Sequence, residues 1–348
     1  MKQIGRVALS VWATWATLSI SDLLAPLSAT ETKIFETQTA AGFLAGTLDG
    51  IAVDPIGRLV AAPRVDRVAS LAEPFVFSLA SRGDGWVVGT GNSGKVLAVD
   101  AQGKVSELLT AAEPTIFTVW VDPDGTVFAG SSPNGKVYRI AKDGTSQVWF
   151  DPQEAYIWRI VRGADGALWV ATGTQGKLFR VTGKAQGAVA LDTEDAHIRS
   201  LVALPSGDVV VGTAGGSSAS GLVLRVSPSG TVRAIYDATQ PEVAALTTAP
   251  DGTIYVALVA SEASFVEEAK PAGGTKAPQG GDGAVVVTVE GEGASVGAVV
   301  GKDRGPRSEL IALTLDGQFE SVWTSSDETI YDLLWSDGLW VATGQEGK

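Results

Sequence analysis

The sequence contains no cysteine and only one histidine. Without cysteine there is no disulfide framework, no zinc–thiolate site and no thiol nucleophile. There is no second histidine beside His197, no GxSxG nucleophile motif and no acidic cluster with metal-ligand spacing. Basic charge is also scarce: 26 Lys and Arg against 39 Asp and Glu give a net charge of −13. A nucleic-acid binder needs a basic face to neutralise phosphates, so that class is set aside. The acidic balance favours solubility and disfavours anionic membranes. No apolar run reaches the roughly 20 residues that a spanning helix requires.

Glycine, at 42 residues, is abundant, and 45% of the chain is hydrophobic. Many tight turns and a sizeable core are therefore expected, which suits short strands better than long helices. By length alone, 348 residues suggest two domains or one large repeat array.

The N-terminus differs from the rest. Lys2 and Arg6 precede the apolar stretch VALSVWATWATLSI (residues 7–20), and small residues follow as far as Ser28 and Ala29. This order is that of a secretory signal peptide over residues 1–29, although a cut after Ala29 places the rather large Leu27 near the cleavage site. An uncleaved anchor is the alternative. Export implies a secreted or periplasmic protein.

A repeat organises the remainder, residues 30–348. FVFSLASRGDGWVVGT from Phe75, TIFTVWVDPDGTVFAG from Thr115, YIWRIVRGADGALWVA from Tyr156, HIRSLVALPSGDVVVG from His197 and EVAALTTAPDGTIYVA from Glu242 align. TIYDLLWSDGLWVATG from Thr329 is a sixth copy. Successive starts lie 40, 41, 41, 45 and 87 residues apart. The long interval contains one set of landmarks, so it carries an insertion, placed at residues 261–307. Asp165 to Lys177 spans 12 residues and Asp251 to Glu309 spans 58, which leaves 46 extra. Within the insertion, KPAGGTKAPQGGDG reads as disordered, and residues 284–290 with 294–300 read as a hairpin.

Each copy reads as four strands, for example 157–161, 167–172, 178–181 and 188–191, separated by Asp-Gly and Gly-Lys turns. One such sheet cannot bury both faces alone, whereas radial stacking buries them. The fold class is therefore all-β, a β-propeller of four-stranded blades. A parallel solenoid is the competing arrangement, and its repeat is usually shorter. Blades fall near 75–114, 115–155, 156–196, 197–241, 242–327 and 328–348. Residues 48–63, GIAVDPIGRLVAAP among them, resemble the third and fourth strands of a unit and are expected to complete the last blade. That gives six blades; seven, or truncation of a larger propeller, are the alternatives.

DGALWVATGTQGKLFRV and DGLWVATGQEGK resemble the propeller repeats of NHL-like proteins and sensor-type regulators, which are WD40-like in architecture, over residues 48–348. The Gly-His and Trp-Asp pairs of WD40 repeats and the kelch double glycine are missing. The resemblance implies a fold rather than an activity. It also implies that the loops between blades, and those between second and third strands, share the face at the mouth of a central channel.

Two repeated features map to that region. An acid precedes each first strand: Glu73, Glu113, Glu154, Asp195 and Asp327, with Gln240 in the fifth place. A ring of carboxylates can hold Ca²⁺ or Mg²⁺; equally, these acids serve the repeat by accepting hydrogen bonds or pairing with the loop lysines Lys95, Lys136, Lys177 and Lys348. A separate repeated feature is aromatic: Phe77, Phe117, Trp158 and Tyr331 recur one step into the first strand and are expected to pack between blades. Arg199 and Ala244 stand at the same position in the other two copies. Arg199, close to Arg159 and His197, is the choice that packing explains least.

The leading expectation is an exported, non-enzymatic propeller without catalytic residues, a resident metal or a cofactor. It binds a protein, small-molecule or glycan partner through Glu73, Glu113, Glu154, Asp195, His197, Arg199 and Asp327. The alternatives are a metal-dependent lactonase or lyase using His197, as some lyases of similar fold use a histidine, and a sensory ectodomain of a longer signalling protein.

Overall fold

The Asp-Gly pairs at 124–125, 143–144, 165–166 and 251–252 form tight turns. Each aspartate Oδ1 accepts a hydrogen bond from the backbone N–H two residues on. Each glycine sits at φ between +80° and +90°, where a side chain is costly. These turns join antiparallel strands into a repeating series.

The computed structural model describes residues 50–53, 58–62, 66–215, 220–260, 285–286, 299–300 and 306–344. The signal-like segment and the Gly/Pro/Lys-rich stretch of the insertion lie outside the described residues. The chain divides into two compact parts, Met1–Asp66 and Arg67–Lys348. The first holds a hairpin in which Ile51–Val53 pairs with Leu59–Ala61, Ile51 opposite Ala61.

In the second part, five four-stranded sheets follow one another. Their first strands are Phe75–Arg82, Thr115–Val121, Tyr156–Arg162, His197–Ala203 and Glu242–Thr248. Their second strands are Gly85–Gly91, Val127–Ser132, Leu168–Gly173, Val209–Ala214 and Ile254–Val259. A sixth sheet has two described strands, Thr329–Trp335 and Leu339–Gly344. No helix occurs among the described residues. In the third sheet the strands Tyr156–Arg162, Leu168–Gly173, Lys177–Gly183 and Gln186–Asp192 overlap the four expected runs.

Burial shows how the sheets are stacked. All six residues of Val127–Ser132, Leu168–Gly173 and Val209–Ala214 are buried, whereas Gln186–Asp192, a fourth strand, is largely exposed. The apolar clusters lie between successive sheets. Phe128 and Val137 of the second pack with Ile157 and Val170 of the third. Trp169 and Leu178 of the third pack with Ile198 and Val211 of the fourth. Val210 and Val223 continue to Val243 and Val256 of the fifth. Each fully buried aliphatic side chain contributes about 1.5–3 kcal/mol, so the radial stack is the principal source of stability. At the two ends of the described series this cover is thinner, and Phe75, Leu79, Leu334 and Trp340 are exposed.

The sheets are propeller blades, and the solenoid alternative is set aside because every described pairing is antiparallel. The insertion leaves the fifth blade between its second and third strands. Its base is closed where Val259 pairs with Ser308 and the Ala260 N–H donates to the Arg307 carbonyl at 2.9 Å. Inside it, Val285–Val286 pairs antiparallel with Val299–Val300, at two of the positions where a hairpin is expected.

Candidate functional site at the channel mouth

The same irregularity recurs in all six described sheets. Where the first strand pairs with the second, the register jumps from its second residue to its fourth. The skipped third residue is Phe77, Phe117, Trp158, Arg199, Ala244 or Tyr331. Each is the extra residue of a β-bulge, a device that re-aims a side chain out of simple alternation. The expected contact between blades is present, but the bulge creates it. Phe77 and Phe117 have ring centroids 4.9 Å apart, Phe117 and Trp158 4.8 Å, and Trp158 and His197 5.5 Å. The row is not core throughout, since Tyr331 is 63% exposed.

The first strands are innermost. Arg159 of the third blade donates from Nη2 to Asp332 Oδ1 of the sixth at 2.8 Å, across the axis. Arg199 occupies its bulge for a definite reason. Its guanidinium lies over the Trp158 ring, 4.3 Å from the centroid, and its Nε donates to Glu242 Oε1 at 3.1 Å. Cation–π contact and an ion pair together replace the aromatic ring used in the first three blades.

A cavity of about 470 Å³ opens beside this cluster. His197, Glu242, Arg307, Thr329 and Tyr331 line it, over a floor that includes Ala214, Gly215 and Val259. Backbone bridges hold two of these residues in place: His197 pairs with Gly173 and with Ala214, and Glu242 pairs with Ala214 and with Val259. Arg307 Nη1 donates to Thr329 Oγ1 at 3.3 Å. Because Ala260 and Arg307 both line the cavity, the insertion emerges at its rim. A depression of similar volume lies at outer strands of the third and fourth blades, but its Arg180 is already paired with Asp165.

His197 is half-buried. Its Nδ1 accepts a hydrogen bond from the Trp158 indole N–H at 3.2 Å. Burial, then the nearby Arg199 guanidinium, pull its pKa below the ordinary value, while Glu242 opposes them. The imidazole is thus neutral at pH 7.

The repeated acids are engaged elsewhere. Glu73 pairs with Lys95 at 3.1 Å, Glu113 with Lys136 at 2.6 Å and Glu154 with Lys177 at 3.1 Å. Each pair joins the segment just before a blade's first strand to that blade's third strand. Glu113 also accepts from the Tyr138 hydroxyl at 2.8 Å. Burial alone would raise the Glu113 pKa, but donors from Lys136, Tyr138 and Ser131 outweigh it and hold the carboxyl below its usual range. Burial and the same carboxylate push Tyr138 up to about 12. In the fourth blade the lysine position is Leu222, and Asp195, 5% exposed, has Oδ2 without a partner. Asp327 is exposed, and Lys348 lies outside the described residues. Among the described residues, no three His, Asp or Glu side chains gather as metal ligands would.

Of the sequence-predicted residues, the structure brings His197 to the cavity wall and Arg199 behind it. The residues not singled out as site candidates are Glu242, Arg307 and Thr329, with Tyr331 noted only for packing. Arg307 had one signal, its place at the end of the insertion.

Compared by sequence, the chain matches no family profile and no curated protein. Its fold matches solved structures. A catalytically inactive virginiamycin B lyase from Staphylococcus aureus, a histidine-to-alanine variant solved with quinupristin, is 13% identical, with 84% of each chain covered and a TM-score of 0.55. The WD40 β-propeller domain of Doa1 is 13% identical over 85% of each chain, with a TM-score of 0.51. The extracellular domain of a putative one-component system from B. thetaiotaomicron is 13% identical, with a TM-score of 0.50 over 77% of this chain and 32% of that one. At such identities the likeness is one of architecture. The chain is a β-propeller, and its neighbours include both enzymes and non-enzymes.

Proposed function

We propose that the chain is an exported, non-enzymatic propeller that binds a ligand at the channel-mouth cavity. One observation carries this reading. The only histidine, an arginine, a glutamate and an exposed tyrosine meet in a cavity of about 470 Å³, with the insertion at its rim. Concave sites with a few convergent polar groups are where ligands of this size are held. Export rests on the signal-like residues 1–29. A sensory ectodomain is the same binding reading set within a longer chain.

The test compares intact protein, a Tyr331→Ala variant and a deletion of residues 263–304 on glycan and small-molecule arrays. Binding that Tyr331→Ala removes supports the cavity. Equal binding by all three proteins would place the site elsewhere.

A second reading, a metal-dependent lyase, draws on the position of His197 and on the likeness to a lyase whose histidine-to-alanine variant is catalytically inactive. Calorimetric titration with Mg²⁺ and Ca²⁺ separates the two. A saturating heat with a raised Tm supports the lyase reading; their absence supports simple binding.

A further inference from the structure

We infer that His197 is a fixed hydrogen-bond donor at the cavity, its proton held on Nε2 by Trp158. The ligand then carries a matching acceptor oxygen, a carbonyl or carboxylate, beside a flat apolar face that packs on Tyr331. This rests on the ligand-binding reading above.

The argument begins with Trp158. An indole N–H donates and cannot accept. His197 Nδ1, 3.2 Å from it, must therefore offer its lone pair. A neutral imidazole carries one proton, which leaves it on Nε2. The ring's orientation decides where that proton points. Nδ1 faces Trp158 and Gly173, neither of which lines the cavity. The Cδ2–Nε2 edge lies toward Gly215, which does. Among the described residues no protein group accepts from Nε2.

Neighbouring groups reinforce this state. Arg199 is on the same strand and Glu242 on the first strand of the next blade, and they already pair with each other. Arg307 and Tyr331 line the same cavity from the fifth and sixth blades. A general base would need an unprotonated nitrogen turned toward its substrate. Here the cavity edge carries the N–H instead, so His197 recognises an acceptor rather than removing a proton. Trp158 acts through His197 and is a positioning residue.

The single histidine makes the test specific, because ¹⁵N-histidine labelling reports one ring. At pH 7 we expect a pyridine-type Nδ1 signal and a pyrrole-type Nε2 signal. Trp158→Phe should convert this to a mixture of tautomers. An Nδ1–H tautomer or a cationic ring in the parent protein would overturn the donor assignment.

Binding is then probed with benzamide and benzoate, which carry acceptor oxygens, and with benzylamine, which is cationic and carries none. The first two should shift the Nε2 signal and benzylamine should not. His197→Leu should weaken benzamide binding at least tenfold, and His197→Gln, which keeps an N–H donor at similar reach, should restore most of it. Benzylamine binding as well as benzamide, or His197→Leu leaving affinity unchanged, would sink the acceptor requirement. If none of the three binds while the expected tautomer is present, the cavity-ligand reading fails and the donor assignment stands.

Discussion

Gln240 Nε2 donates a hydrogen bond to Glu309 Oε2 at 3.0 Å. This inverts the pairing used in the first three blades. There the residue before the first strand is an acid and the third strand supplies lysine; in the fifth blade the third strand supplies the acid and the earlier position supplies its donor. Ser321 Oγ completes the arrangement by donating to Glu309 Oε1 at 2.8 Å. Gln240→Glu would place two carboxylates together at a position only 6% exposed. Breaking such a bond and opposing two charges is expected to cost about 1–3 kcal/mol in urea unfolding. Adding Glu309→Lys should recover most of that loss, giving a favourable coupling in a double-mutant cycle.

The fourth blade lacks this compensation. Asp195 is buried with an unpartnered oxygen, and Leu222 stands where the first three blades have lysine. Leu222→Lys should therefore raise stability, by on the order of 1 kcal/mol. Lys177→Leu, which leaves Glu154 buried and unpaired, should lower it by about 1–3 kcal/mol. Thermal melts of the two variants should shift in opposite directions.

Gly173 sits beneath the Trp158–His197 pair. A Cβ there would lie 2.0 Å from His197 Nδ1 and 2.7 Å from Trp158 Nε1. Gly173→Ala should force the two rings apart, destabilise the protein by about 1–3 kcal/mol and break their hydrogen bond. Tryptophan fluorescence and the histidine ¹⁵N signals will register the change even where the fold survives.

Acid should weaken the protein in two stages. The folded-state pKa of His197 is depressed by burial and Arg199, so the unfolded chain binds its proton first. Its contribution is complete above the unfolded value near 6.5 and is lost as pH falls through the folded value. Glu113 is depressed in the same sense by Lys136 and Tyr138, so its contribution fades below the unfolded value of 4.5. Unfolding free energy measured from pH 7 to pH 3 should decline throughout. His197→Gln should remove the earlier stage only, and a profile flat from pH 7 to 5 would contradict the shift at His197.

Much of the fold was legible in the repeat. The Asp-Gly turns need a glycine at positive φ, and the apolar runs between them have strand length, so both survive translation into one-dimensional text. The inverted fifth pair was half legible, since Gln240 stood out as a departure while its partner lies 69 residues further on across the insertion. The aromatic positions were found, but the bulge at each was not. A bulge is a relation between two strands, and nothing in the local alternation of one strand announces the skipped residue.

What the sequence alone determined is the blade: turns, strand order, the acid–lysine landmarks and the place of the insertion, all set by local backbone preference and periodic burial. What only the tertiary structure decided is the cavity. It draws His197, Glu242, Arg307 and Tyr331 from the fourth, fifth and sixth blades, and the proton position on His197 depends on Trp158 of the third. Such a site depends on how separate sheets stack around an axis, and stacking is fixed by packing over the whole wheel rather than by any local stretch of chain.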